Sequence, residues 1–209
     1  MSDDRFIRAD LHNHTHYSVD SILSPQRFVQ EARRHGLDCI AVTDHNTIEG
    51  ALAVREIAGG HLTVIVGEEV RTAEGEVIGL FLSEAVPRGL PAAETIDRIK
   101  AQGGLAGVPH PFDYLRSGLR RDVLMTLLER IDFIETLNAR MVFPSHNRKA
   151  LQLAKDHAKA MSAGSDAHSP WEVGRAYMEM PAFSGAQDFL SKLPLGTPVG
   201  GLSSPLVHV

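Results

Sequence analysis

Eleven histidines occur in 209 residues, against a single cysteine, and they do not scatter. Histidine is the commonest metal ligand and the usual acid–base group near neutrality. Five segments set histidines and carboxylates close together: Asp10-Leu11-His12-Asn13-His14-Thr15-His16, Thr43-Asp44-His45-Asn46, Gly67-Glu68-Glu69-Val70, Pro109-His110-Pro111 and Gly164-Ser165-Asp166-Ala167-His168. His12 and His14 stand two residues apart, as do Asp166 and His168, the spacing that puts side chains on one face of a strand. Imidazole and carboxylate donors without thiolate suit Zn, Mn or Fe, and more donors than one ion can use point to two or three divalent ions.

Each segment taken alone has a plain structural reading. A strand-end histidine is usually a capping or exposed residue, Asp166 alone reads as an N-cap, and Asp44 as a turn residue. The agreement of all five in chemistry and position carries the argument. His16 continues the parity of His12 and His14 but falls past the strand, so it is read as solvent-facing or as a support for the ligands. His35, His61 and His157 sit near helix ends, where an imidazolium suits the dipole. His208 lies in the tail, and His146 at a helix start is kept out of the ligand set. Cys39, inside the apolar run 37–42, reads as a buried thiol and excludes both a disulfide and a Cys-rich zinc site.

The elements that must position these side chains are short apolar runs at 6–11, 39–42, 62–66, 77–82, 105–108, 131–137 and 160–163. Helical patterns lie between several of them. Ser24 followed by Pro25 gives an N-cap and a proline at the first helical position, and Gly36 stops that helix. Further helices are expected over 47–58, 92–102 and 146–159. Runs this short and apolar fit buried parallel strands, and their alternation with helices predicts an α/β fold. About seven units in one domain spanning 1–209 predict a small (β/α) barrel. Each titratable segment follows the apolar run of its strand, so the site is expected at the C-terminal mouth. The tail from Gly200 is read as irregular.

The rest of the chain excludes other classes. There is no Walker or dinucleotide phosphate loop and no Gly-x-Ser-x-Gly elbow. Hydrophobic residues make up 43% and charged residues 22%, with no apolar run of membrane-spanning length. The N-terminal MSDDRFIRAD lacks the features of a secretory signal, so a cytoplasmic location is expected. A formal net charge of -5 argues against a surface that grips long nucleic acid.

In this order the segments resemble the PHP family, named for polymerase and histidinol phosphatase. The matching stretches are DLHNHTHYSVDSILSP (10–25), GLDCIAVTDHNTIEG (36–50), VIVGEEV (64–70), GGLAGVPHPFD (103–113) and AGSDAHSPWEVGRA (163–176). The resemblance implies a distorted (β/α)7 barrel, a multinuclear metal site and phosphoesterase activity. Position by position it implies His12, His14, Asp20, His45, Glu69, His110, Asp166 and His168 as ligands, with Glu69 rather than Glu68 bridging. Many relatives carry a further histidine ligand where this chain reads Gly75-Glu76-Val77-Ile78-Gly79; either Glu76 substitutes as an oxygen ligand, the preferred reading, or the site loses an ion. The expected chemistry is in-line attack on phosphorus by a water activated between two ions, with His168 protonating the leaving group. Arg116 is the first choice for a guanidinium clamp on the phosphate, ahead of Arg140, Arg148 and Arg175. The expected partner is a small phosphorylated substrate, with neither a membrane nor long nucleic acid; the oligomeric state is left open. Two other readings stand beside this one: an amidohydrolase-type barrel, and a non-catalytic metal-binding regulatory module.

Overall fold

The computed structural model describes residues 5–113 and 117–204. All seven expected strands form: β1 (Phe6–Asp10), β2 (Cys39–Val42), β3 (Thr63–Arg71), β4 (Glu76–Leu80), β5 (Leu105–Val108), β6 (Phe133–Asn138) and β7 (Ala160–Gly164). They lie side by side in sequence order within one sheet. The ring closes above β1, where Leu11 N–H donates to the Ala163 carbonyl at 3.1 Å and Asp166 N–H to the His12 carbonyl at 2.7 Å. Gly164 permits that approach, because a Cβ there would stand 2.4 Å from the Cβ of His12. The fold is a distorted seven-stranded α/β barrel, as expected.

The distortion lies in β4. It runs antiparallel to both β3 and β5, while β1–β2, β2–β3, β5–β6 and β6–β7 are parallel. Only Thr72–Gly75 separates β3 from β4, far too short for the crossover a parallel pair needs. The Thr72 hydroxyl and N–H both donate to the Gly75 carbonyl, closing a hairpin. Gly75 has φ +136°, and a Cβ on it would come within 2.5 Å of the Leu119 backbone. The reversal has a consequence for the site: Glu76, the first residue of β4, lies at the mouth where the other strands end.

Helices α1 (Pro25–Arg34), α2 (Glu49–Ala58), α3 (Ala92–Ala101), α4 (Arg121–Leu127) and α5 (Pro144–Asp156) cover the outside. The Ser24 hydroxyl caps α1 by accepting from Arg27 N–H at 3.3 Å. α4 was not expected, and the starts of α2 and α5 differ by two residues from the pattern at 47 and 146. Beyond the barrel, β8 (Ala176–Pro181) continues the sheet antiparallel to β1 and β9 (Thr197–Gly200) antiparallel to β8, with α6 (Gly185–Lys192) between them. These three were also not expected.

Strand parity sorts the core into two layers. Val66, Val70, Val77 and Ile134 face the helices. Ala9, Cys39, Ala41, Ile65, Ile78, Leu80, Leu105 and Phe133 fill the barrel, with Met178, Met180 and Phe189 closing its floor. Glu69, Glu76 and Glu135 share the inward parity of Ile65, Ile78 and Phe133 on their strands. The apolar interior therefore ends in a polar layer at the mouth. Among the described residues no helix is long and apolar enough to cross a membrane.

Candidate metal centre

Glu69 lies at the centre of that polar layer. Its Oε2 is 3.3 Å from His14 Nε2 and 3.5 Å from His12 Nε2, and its Oε1 is 3.0 Å from His110 Nε2. The two Nε2 atoms of His12 and His14 stand 3.0 Å apart. Asp166 Oδ1 completes the group at 3.7 Å from His12 Nε2 and 3.4 Å from His14 Nε2. Donors about 2.1 Å from one tetrahedral ion lie roughly 3.4 Å from each other. His12 and His14 after β1 and Glu69 on β3 thus meet at the spacing of a coordination shell, with Asp166, after β7, against both histidines.

Two further groups adjoin it. Asp20 Oδ2 is 3.4 Å from both His45 Nε2 and His168 Nε2. On its other side His45 Nδ1 lies 3.2 Å from Glu69 Oε2, and His45, Glu69 and Glu76 can direct donor atoms to one point. Glu76 Oε2 is 3.9 Å from His110 Nε2, so the carboxylate enters where the family pattern has a histidine. His45 stands between the two groups with one ring nitrogen toward each.

A carboxylate, a hydroxyl and a backbone carbonyl around the site fix the histidines for ligation. His12 Nδ1 is held at 3.0 Å by Glu135, His14 Nδ1 at 3.2 Å by the Ser18 hydroxyl, and His168 Nδ1 at 2.8 Å by the Asp166 carbonyl. A hydrogen on each Nδ1 leaves an Nε2 lone pair for a cation. Asp44 anchors the loop that carries Asp20. Its carboxylate accepts from Thr15 N–H, the Thr15 hydroxyl and the Ser18 hydroxyl, so the turn residue of the sequence reading is a buried loop anchor. His110 and Asp166 both adopt positive φ, 28° and 52°, a local strain common at functional sites.

The electrostatics call for positive charge. Burial opposes ionisation of Glu69, yet His12, His110 and His45 hold its carboxyl well below the usual range. Burial works against a charged His45, and Asp20 and Glu69 overcome it, raising the imidazole to about 9. His12 rises too, as Glu135, Asp166 and Glu69 outweigh its burial. Burial, then the neighbouring His168, drives His14 down to about 3, leaving it neutral. Burial and the charge of Glu69 push Glu76 up to about 8. Four converging carboxylates, and imidazoles whose lone pairs become available to a cation that displaces their protons, form a donor set that divalent cations fit.

A family model described as PHP-associated matches residues 144–198. The uncharacterized protein MJ1587 of Methanocaldococcus jannaschii is 40% identical over 144 residues, 64% of this chain and 82% of its own. The chain belongs to the PHP family. A second relative from the same organism, the uncharacterized protein MJ0417, is 36% identical over 91% of this chain and 81% of its own. In fold, the PHP chain is similar to a Bifidobacterium adolescentis protein described as a candidate metal-dependent phosphoesterase, with TM-score 0.63 at 17% identity over 77% of this chain and 87% of that one. It is also similar to an amidohydrolase from Chromobacterium violaceum, with TM-score 0.65 at 17% identity over 79% and 89% of the two chains.

The structure brings together all nine ligand candidates of this PHP chain: His12, His14, Asp20, His45, Glu69, Glu76, His110, Asp166 and His168. Of the arginines, Arg140 lines the cleft above them, with Nε 2.9 Å from Glu172. Arg175 lines a different depression and Arg148 an apolar groove. Arg116 lies outside the described residues. Three residues of the site were missed. Arg71 lines the cleft from the end of β3. Glu172 holds His168 N–H at 3.1 Å. Glu135 was legible, as an acid at inward parity inside an otherwise apolar run.

Proposed function

We propose that this chain is a metal-dependent hydrolase of small phosphate esters. The observation that carries the reading is the convergence of His12, His14, Glu69 and Asp166, beside the Asp20/His45/His168 group, beneath a cleft walled by Arg71 and Arg140. His12, His14, Glu69 and Asp166 would hold one ion, Asp20, His45 and His168 another, and Glu69 with Glu76 and His110 a third. Divalent ions there lower the pKa of water and neutralise charge developing on phosphoryl oxygens. Arg71 and Arg140 supply what a phosphoryl group needs from protein, guanidinium donors on its non-bridging oxygens. The cleft holds about 200 Å³, enough for the phosphoryl group but not for a large substrate, whose remainder would lie on the rim. With Nδ1–H on a backbone carbonyl, His168 has a ligand's tautomer, and we assign it to the ligand set ahead of proton donation.

Fold likeness does not choose between phosphoesters and amides, since proteins described under both chemistries share the barrel. The cleft does. Among the described residues no lysine lines it, whereas two arginines do. Protein loaded with Zn or Mn is expected to release phosphate from a panel of phosphomonoesters and to ignore amides and lactones. His12→Ala and Asp166→Ala should lose metal and turnover together. Full turnover in either variant, or amide hydrolysis without phosphate release, would overturn the reading.

A further inference from the structure

β6 contributes no member of the ligand set, yet it places a carboxylate directly behind three of them. Glu135 is 2% exposed. Its Oε1 is 3.0 Å from His12 Nδ1. Its Oε2 accepts the backbone N–H of His110 at 2.8 Å and the side-chain amide of Asn138 at 3.0 Å. The same amide nitrogen reaches Asp166 Oδ2 at 3.1 Å, and Asn138 Oδ1 accepts the N–H of Arg140 at 2.8 Å. Neither side chain is positioned to join the ligands itself. One buried pair therefore contacts a ligand from β1, one after β5, one after β7 and the backbone of the cleft arginine.

We infer that Glu135 is a positioning residue of the metal centre, acting on His12 directly and on Asp166 through Asn138. This rests on the metal-centre reading above. A carboxylate offers acceptors on every side, and this one receives three donors: an imidazole N–H, a backbone N–H and an amide N–H. Accepting His12 Nδ1–H fixes the tautomer whose Nε2 lone pair faces His14, Glu69 and Asp166. A glutamine cannot do the same. If its oxygen meets His12, its NH2 faces two donors; if its NH2 meets His12, the ring must accept at Nδ1 and carry its hydrogen on Nε2, where the ion belongs. Burying a carboxylate with no lysine or arginine against it among the described residues is costly. An apolar residue would fill the space above Phe133 at less expense, so a positioning role accounts for the acid where packing does not.

The Asp20/His45/His168 group makes no contact with Glu135 or Asn138, and this separates positioning from general support. Zn²⁺ titration of the full chain, followed by calorimetry and elemental analysis, is expected to show Glu135→Gln losing 10- to 100-fold in affinity for one ion, the usual effect of removing a ligand's hydrogen-bond partner. Affinity for the ion at Asp20/His45/His168 should be unchanged. Asn138→Ala should weaken the same ion, and the double variant should lose less than the sum of the two, because both act through one network. Imidazole nitrogen NMR of the Zn-loaded protein should show His12 with its hydrogen on Nδ1 in the wild type and a changed tautomer in Glu135→Gln. Wild-type affinity for every ion in both variants, or an equal loss at all of them, would overturn the inference. A wild-type chain that binds no Zn²⁺ would sink the metal-centre reading itself and this inference with it.

Discussion

Glu68 and Glu69 are neighbours with opposite fates, because successive strand residues face opposite sides. Glu69 turns into the barrel among histidines. Glu68 turns toward the helices, fully buried, where Oε2 accepts Val86 N–H at 2.8 Å and Oε1 has no hydrogen-bond partner. Burial raises its carboxyl to about 7 from an ordinary 4.5, with the Val86 bond opposing. The folded protein thus holds this proton more tightly than the unfolded chain. The stability it contributes is complete below pH 4.5 and drains away as the pH climbs through about 7. Glu68→Gln, which stays neutral, should therefore melt progressively higher than wild type as pH rises across that window. The gap should be on the order of 3 kcal/mol above it. Paired melts of chelator-treated protein from pH 4 to 8 would show it, and a difference that does not vary with pH would refute the assignment.

At the scale of elements, the site depends on strand direction. Seven apolar runs revealed the strands, and the Ser24-Pro25 pair revealed the start of α1, because both are local signals. Direction is not local, so the reversal of β4 was not read, although its cause is the brevity of Thr72–Gly75. Glu135 escaped for a related reason: inside an apolar run an acid looks like an interruption until parity aligns it with Phe133 beneath. β8 and β9 carry no chemistry to draw attention, and the pairing of β8 with β1 spans more than a hundred residues. The hairpin offers a direct test of the directional argument. Gly75→Ala puts a Cβ 2.5 Å from Leu119 at a φ that L residues rarely adopt. It should destabilise by more than about 1 kcal/mol. Because Glu76 follows immediately, metal stoichiometry should fall with it, while the Asp20/His45/His168 ion persists. A melt indistinguishable from wild type would mean the hairpin does not need its glycine.

Over the whole molecule, the ligands come from β1, β2, β3, β4, β5 and β7 or the loops that follow them, and β6 supports them through Glu135. A ring of strands is thus drawn together at one end by carboxylates whose mutual repulsion is offset by protons on His12 and His45 or by cations in their place. The other end needs no such help, since Met178, Met180 and Phe189 close an apolar floor. Cations that bind this arrangement and not the unfolded chain must stabilise it by mass action. At one hundred times the dissociation constant the gain is about 2.7 kcal/mol per ion. For a chain of this length that is on the order of 5 to 11 °C in melting temperature. Stripping with a chelator should lower the melt by at least that much, and Zn²⁺ or Mn²⁺ should restore it in proportion to the logarithm of concentration. His12→Ala should retain only the part due to ions it does not touch. Ion-free protein should open first at the mouth, so hydrogen exchange ought to quicken at Leu11, His14 and Asp166, whose N–H groups close the ring, before it does in the floor. If chelation left both the melt and the exchange at these amides unchanged, the mouth would be held by the backbone alone, and the convergence of charged groups there would have no stabilising ion to explain it.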